Sequence, residues 1–145
     1  MLKKKFILKY DEHNKPNLDG INEHISISHS HDYLAIALNR KEETGIDIEL
    51  IREKVKNVRH KFLNDDEKNI AGNNIEKLIT YWAAKEAVYK AHGKKGMDFA
   101  NHIFVSEVNM KNFEARIEKE NVKKKYLLQK EKIDNYILVY TLEQI

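Results

Sequence analysis

In the first third of the chain, apolar and polar residues alternate with the period of a β-strand. The segment HISISHS, residues 24–30, sets Ile25 and Ile27 against serines. A longer apolar run, YLAIALN, follows at residues 33–39 after a short polar turn. This pattern predicts a β-hairpin whose second strand is the more buried of the two.

A third strand is predicted where GIDIEL begins at Gly45. Its isoleucines and leucine point one way, while Asp47 and Glu49 point the other way, because successive side chains of a strand alternate between faces. The strand therefore presents two carboxylates on one face. The chain's single proline, Pro16, instead marks a loop in DEHNKPNLDG, residues 11–20.

Helical spacing dominates the middle of the chain. Apolar residues recur every three or four positions across residues 51–62. Asn64 and Glu67 have the spacing of a capping box at the start of the next helix. A longer helix follows, with Asn74 as its N-cap and Gly93 as its end.

The remaining third of the chain reads as short strands. Alternating or continuous apolar runs occur in HIFVSEV, FEARIE, KYLLQK and YILVYTL. Because the helices are grouped between two sets of strands, we predict an α+β fold with a mostly antiparallel sheet.

One charged residue conflicts with the predicted long helix. At about 100° per residue and with Ile75 set to zero, Glu86 falls near ~20°, between Ile79 near ~40° and Trp82 near ~340°. The carboxylate therefore lies in an apolar stripe, where an ionised and unpaired group is costly. Glu86 requires a proton, a cation or hydrogen-bond donors.

Two interpretations of Glu86 remain open. The simpler one is an ion pair with Lys90, one helical turn further on, of a kind that contributes little on a protein surface. The other is convergence with Asp47 and Glu49 on one divalent cation. Carboxylate ligands in a chain without cysteine favour Mg²⁺, which usually shares its coordination shell with substrate phosphates. Lysines beside such a site would suit phosphoryl-type transfer.

Length and composition are those of one compact domain spanning residues 1–145, with 41% hydrophobic residues. Disulfides are excluded because there is no cysteine. The apolar run near the start is broken by Lys9 and is too short for a signal peptide, and no stretch approaches membrane-spanning length. We therefore expect a soluble, cytoplasmic protein without a membrane partner.

The charge pattern leaves a weaker possibility open. The formal net charge is +3, and lysines cluster at residues 3–5, 54–61 and 119–132. Such clusters attract nucleic acid, phosphorylated ligands or acidic proteins. Only four of the 26 basic residues are arginines, which favours a compositional preference for lysine over phosphate recognition. We expect no nucleic-acid partner, although a basic nucleic-acid-binding domain remains an alternative.

Two motifs together resemble a known family. GIDIE at residues 45–49 and WAAKEAVYK at residues 82–90 resemble the signature pair of the 4'-phosphopantetheinyl transferase superfamily. The upstream SISHS and NKP segments are similar to the surfactin-synthetase-activating type, whereas AAKEA is closer to the small holo-acyl-carrier-protein synthases. The resemblance implies the fold of that superfamily, with the sheet packed against a central long helix.

The resemblance also implies a reaction. A serine of an apo acyl or peptidyl carrier protein would attack the β-phosphate of coenzyme A, giving a holo carrier protein and adenosine 3',5'-bisphosphate. By matched position Asp47, Glu49 and Glu86 would bind Mg²⁺. Glu86, or a water that it orients, would accept the serine proton, and Lys90 would neutralise or protonate the leaving phosphate. Glu67 matches a supporting carboxylate of the family, although its capping box explains it equally well.

Coenzyme A would be bound by residues from three segments. Ser28 and His29 resemble the family's phosphate-contacting pair, and Lys15 with Pro16 resembles the loop beside the nucleotide. Lys85 would assist Lys90 at the phosphates.

The chain departs from the two-half members of the family. Residues 1–40 resemble only the end of their first half, and Asn14 replaces a glycine that usually precedes the Lys-Pro pair. Lys3 to Lys5 could substitute for the missing surface, or a second subunit of a homo-oligomer could complete the pocket. The third alternative is poor binding of coenzyme A. A non-catalytic module that binds coenzyme A or a carrier protein is therefore a rival hypothesis. The carrier protein itself would be steered by the basic segment 54–61.

Overall fold

The N-terminal alternating segments form an antiparallel sheet of four strands in the order β1-β2-β3-β4. The structure is a computed structural model that describes residues 7–145. The lysines at residues 3–5, one of three alternatives given for the coenzyme pocket, lie outside the described residues. The strands are β1 (Ile7–Tyr10), β2 (Pro16–Asp19), β3 (His24–Ser30) and β4 (Tyr33–Asn39).

The first hairpin of this sheet was not predicted from the sequence. Pro16 does not lie in a loop but begins β2, where it pairs with Tyr10 of β1. The first position of a strand tolerates proline because the missing N–H need not join the ladder. The segment has the residues of a turn because a tight connection precedes the strand, and Asn14 in this connection adopts a positive φ of 64°.

The second hairpin, between β3 and β4, is confirmed, with Ser30 paired to Tyr33 beside the turn. The expectation that β4 is the more buried strand is wrong. Leu34, Ile36 and Leu38 are 62%, 54% and 57% exposed. A continuous apolar run is typical of a strand that is covered on both faces. In β4 only the face that carries the alanines packs against the rest of the protein.

The C-terminal strands form a second antiparallel sheet in the order β5-β9-β8-β7-β6. The α+β prediction is therefore confirmed, with two sheets instead of one. The strands are β5 (Ile46–Leu50), β6 (Ile103–Glu107), β7 (Asn112–Lys119), β8 (Val122–Ile133) and β9 (Tyr136–Gln144).

Four α-helices are present among residues 7–145, and none of them is both long and apolar enough to cross a membrane. The helical spacing of residues 51–62 produces only one α-helical turn and a following 3₁₀ turn at Arg59–Lys61. The helices are α1 (Val55–Val58), α2 (Asp65–Ala71), α3 (Ile75–His92) and α4 (Phe99–His102).

Local signals at the helix ends are confirmed. The side chain of Asn64 accepts from the backbone N–H of Glu67, and the Glu67 carboxylate accepts from the backbone N–H of Asn64, which completes a capping box. Asn74 caps α3 by accepting from Lys77, and Gly93 ends it in the left-handed conformation with φ of 74°.

Helix α3 packs against β5 and β9 through small side chains, among them Ala84, Ala87 and Ala91, which are fully buried. Gly45 lies at the closest point of this contact. A Cβ atom added at Gly45 would lie 1.7 Å from the carbonyl oxygen of Ala87. The glycine of GIDIE is thus required because the backbone of α3 occupies the space of a side chain.

The two sheets are joined by serine hydroxyls. Ser26 Oγ accepts from the backbone N–H of Ile46 at 3.0 Å, and Ser28 Oγ accepts from that of Ile48 at 3.0 Å. These N–H groups belong to β5, an edge strand of the second sheet. The hydroxyls therefore accept hydrogen bonds from N–H groups on the edge of β5 that pairs with no strand of its own sheet, and they hold β3 beside β5.

Gly45→Ala should destabilise the protein by about 3 kcal/mol or more, because β5 and α3 must separate to admit the methyl group. Gly20→Ala is the matched control, since Gly20 has φ of 84° and no atom within 4 Å of an added Cβ. Its cost should be about 1–2 kcal/mol from backbone strain alone. Chemical denaturation of both variants measures the difference, and equal losses would contradict the close approach.

Candidate active site

Asp47 lies at the centre of the site and is 3% exposed. Its Oδ1 accepts from Ser28 Oγ at 2.9 Å and from Lys90 Nζ at 3.1 Å. Lys90 Nζ also donates to the carbonyl oxygen of Ile46 at 3.0 Å, so β5 fixes its position. The other oxygen of Asp47, Oδ2, is buried and has no hydrogen-bond partner among the described residues.

Glu49, two residues along β5, is held by a residue that the sequence did not assign to the site. Trp82 Nε1 donates to Glu49 Oε1 at 3.0 Å. The sequence had placed Trp82 only in the apolar stripe of the predicted helix. Its position on α3, one helical turn before Glu86, was the available signal, because residues four apart on a helix share a face.

Glu86 lies between Trp82 and Tyr89 on α3 and is partly buried. Among residues 7–145 it forms neither an ion pair nor a hydrogen bond. The proposed surface ion pair between Glu86 and Lys90 is therefore wrong, because Lys90 bonds to Asp47 instead. Burial raises the pKa of Glu86, Lys90 opposes this rise, and Glu49 adds to it.

The burial of α3 differs from the predicted apolar stripe. The side of the helix that is covered most completely carries Leu78, Tyr81, Lys85 and Val88, all at most 1% exposed. Trp82 and Tyr89, which flank Glu86, are only partly buried. The long helix is enclosed on most of its surface, so a single hydrophobic stripe does not describe it.

The three carboxylates influence one another. Burial raises the pKa of Asp47 well above its ordinary value, Lys90 counteracts this, and Glu49 and Glu86 raise it further. A cation between them would offset the repulsion, and the unpartnered Oδ2 of Asp47 is an available ligand.

The donor set fits Mg²⁺ in its chemistry, since it consists of carboxylate oxygens. Within residues 7–145, however, no three acidic or histidine side chains are drawn together at metal-binding distances. Coordination by Asp47, Glu49 and Glu86 together therefore requires side-chain rotation.

A cavity of about 430 Å³ opens between the first sheet and the C-terminal end of α3. Four residues predicted to bind coenzyme A line it: Lys15, Pro16, His29 and Lys90. No acidic side chain lines the cavity, whereas six side chains are lysine or histidine, so it suits a polyanion. The six are His13, Lys15, His29, Lys90, Lys94 and Lys95.

Lys15 is anchored at the rim of this cavity. Its Nζ donates to the carbonyl oxygen of Lys90 at 2.7 Å and forms an ion pair with Glu43 at 3.2 Å. Its aliphatic chain passes over Gly93, where a Cβ would lie 2.8 Å from the Lys15 Cδ. Lys15 therefore ties β2 to the C-terminal end of α3, where a cation is favoured.

Ser28 and Lys85, which were also predicted at the coenzyme, do not line the cavity. The Ser28 hydroxyl donates to Asp47 and accepts from Ile48. Lys85 is fully buried, and its Nζ donates to Glu67 Oε1 at 2.6 Å and to the carbonyl oxygen of Phe99 at 2.8 Å. Burial lowers the pKa of Lys85, and the Glu67 carboxylate opposes that shift.

A second concavity of about 310 Å³ begins beside Glu49 and Trp82. Its apolar surface comes from α1 and from the segment that follows, including Val55, Val58 and Phe62. Three cations surround it: Arg52, Lys54 and Lys61. We call it the α1 groove.

The chain matches the family model of the 4'-phosphopantetheinyl transferase superfamily over residues 43–141. This span contains both GIDIE and WAAKEAVYK. The chain belongs to this superfamily. No curated protein matches the chain.

The free energy of unfolding should rise between about pH 4 and pH 6.5 because of His92, the last residue of α3. Burial and the charges of Lys124 and Lys94 lower the pKa of His92 from 6.5 to about 4. The unfolded chain therefore binds more protons than the folded one within this window, and stability is lost as the pH falls through it.

Urea denaturation of the wild type and His92→Gln at pH 4.5 and 7 measures this contribution. The variant should show a smaller difference between the two pH values. His60→Gln, at an exposed histidine, should behave as wild type. An unchanged pH dependence in His92→Gln would rule out this explanation.

Proposed function

We propose that this protein transfers 4'-phosphopantetheine from coenzyme A to a serine of an apo acyl or peptidyl carrier protein, with Mg²⁺. The observation that carries the proposal is the position of Lys90. Its side chain bonds to the buried Asp47 and also lines a cavity without acidic side chains. Superfamily membership supplies the reaction class.

In this reaction the serine oxygen bonds to the β-phosphorus of coenzyme A. The bond from that phosphorus to the bridging oxygen breaks, and adenosine 3',5'-bisphosphate leaves. A diphosphate suits a cavity lined by Lys90, Lys94 and Lys95, since their ammonium groups offer donors and positive charge, and Lys15 and His29 complete this wall. The cavity volume is within the usual range for cofactor sites.

Asp47, Glu49 and Glu86 would hold Mg²⁺. When bound, the ion would neutralise charge on the diphosphate. The unpartnered Oδ2 of Asp47 supports this assignment, because a buried carboxylate oxygen without a donor is costly.

Two side chains are proposed to move protons. Glu86 has no partner among the described residues and a raised pKa, which suits a base that accepts the serine proton. Lys90 would neutralise or protonate the leaving phosphate from its place on the cavity wall. Trp82 and Tyr89 lie one helical turn before and after Glu86 on α3, and all three are partly buried.

The α1 groove is the proposed docking surface for the carrier protein. Its apolar surface suits the apolar face of a carrier helix, and Arg52, Lys54 and Lys61 suit acidic side chains beside that face. The groove shares Glu49 and Trp82 with the site, so a serine on a docked carrier would be near the carboxylates.

Incubation of an apo carrier protein with the protein, coenzyme A and Mg²⁺ should add about 340 Da, the mass of the phosphopantetheine arm, to the carrier. Intact-mass spectrometry measures the product. A chelator should abolish the gain, and Glu86→Gln should slow it by about a hundredfold or more, because proton acceptance is lost.

Binding of coenzyme A without any mass gain across several carrier proteins would contradict transfer. It would favour the non-catalytic binding module instead. Full activity of Glu86→Gln at ordinary Mg²⁺ would contradict the assigned role of Glu86.

Charge reversal at Lys61 in the α1 groove should raise the KM for the carrier protein by about tenfold and leave the KM for coenzyme A nearly unchanged. Lys61→Glu is compared with Lys123→Glu, which makes the same charge change at an exposed position on β8. Equal effects of both variants would show that overall charge, and not this groove, attracts the carrier.

A further inference from the structure

Glu67 and Lys85 form an ion pair inside the protein, where they are 3% and 0% exposed. Neither residue lines the cavity of lysines and histidines beside α3 or the α1 groove. The pair is therefore shielded from both proposed substrates, although Lys85 directly precedes Glu86 in the chain.

The pair fixes several elements at one point. Glu67 Oε1 accepts from Lys85 Nζ at 2.6 Å and from the backbone N–H of Asn64 at 3.1 Å. Its Oε2 accepts from the backbone N–H of Val105 at 2.8 Å. Lys85 Nζ donates further to the carbonyl oxygen of Phe99 at 2.8 Å. These bonds connect α2 and α3 to β6 and to the first residue of α4.

Phe99 continues this connection towards the site. Its ring packs against Trp82 with centroids 5.5 Å apart and against Tyr89 at 5.3 Å. Trp82 and Tyr89 flank Glu86 on α3, and Trp82 donates its indole N–H to Glu49. A short series of contacts therefore leads from the buried pair to Glu49, and Trp82 shares the helix face of Glu86.

Stability alone does not account for the pair. Burying two charges costs several kcal/mol in desolvation for each ion, and well-packed apolar residues often stabilise a fold equally well or better. Directional hydrogen bonds provide what apolar packing does not, since they fix distances and angles between the elements that they join.

We propose that Glu67 and Lys85 are positioning residues that hold Phe99, and through it Trp82, so that Glu49 and Glu86 face each other across the site. They act on the carboxylates and not on coenzyme A. This role rests on the proposed transferase function only for its effect on activity, because the orientation of Trp82 can be measured by itself.

The test uses a neutral replacement of the pair, Glu67→Gln/Lys85→Met. The matched control, Glu76→Gln/Lys132→Met, removes an ion pair of 3.1 Å on the surface, where the side chains are 39% and 51% exposed. Trp82 is the single tryptophan of the chain, so the indole N–H gives one cross-peak in a ¹H–¹⁵N spectrum. This peak reports the hydrogen bond to Glu49 directly.

We expect the cross-peak to move or broaden in Glu67→Gln/Lys85→Met and to resemble that of Glu49→Gln, while the surface variant matches the wild type. In transfer assays kcat should fall by about tenfold, with the KM for coenzyme A changed by less than about twofold. A role restricted to folding would lower the amount of native protein but leave both the peak and kcat of the folded fraction unchanged.

If the buried variant does not fold, Phe99→Leu tests the same connection, because it removes the ring between the pair and Trp82. Loss of the ring shifts the cross-peak by itself, so the measurement in Phe99→Leu is the exchange of the indole proton with solvent, which should be faster than in the wild type. A native-like peak in a folded Glu67→Gln/Lys85→Met, or native-like exchange in Phe99→Leu, would overturn the proposal. Absence of transfer by the wild type would refute the proposed function, and the spectra would still decide the positioning role.

Discussion

The close contact between β5 and α3 is the constraint on which the site depends. Gly45 leaves room for the backbone at Ala87, and buried alanines keep the rest of the contact narrow. At this separation Lys90 reaches across to Asp47 and to the backbone of β5. A wider contact would still bury apolar surface, but the charged groups of the two elements would no longer meet.

This contact places opposite electrostatic environments beside each other. On one side, Asp47 is buried with an unpartnered oxygen near two other carboxylates, and its pKa is raised. On the other side is a cavity lined by lysines and histidines. Lys90 belongs to both, because it bonds to Asp47 and lines the cavity. The proposed binding of a cation and a phosphate together would place them at this boundary between clustered acids and clustered bases.

Sequence reasoning succeeded where the signal is local. Helix caps such as Asn64 and Asn74 depend on bonds within four residues, and the hairpin of β3 and β4 depends on periodicity and a short turn. It failed where burial depends on distant elements. The exposed face of β4 and the indole bond from Trp82 to Glu49 depend on what packs nearby, and no local pattern contains that information.

The sequence by itself determined the superfamily motifs, the start of α2, the two ends of α3 and the presence of two carboxylates on β5 and one on α3. Only the tertiary structure decided which charges meet: Lys90 pairs with Asp47 and not with Glu86, and Lys85 pairs with Glu67 in the interior. The physical reason is that an ion pair is set by distance in space, and residues 18 or 43 positions apart come together only through packing.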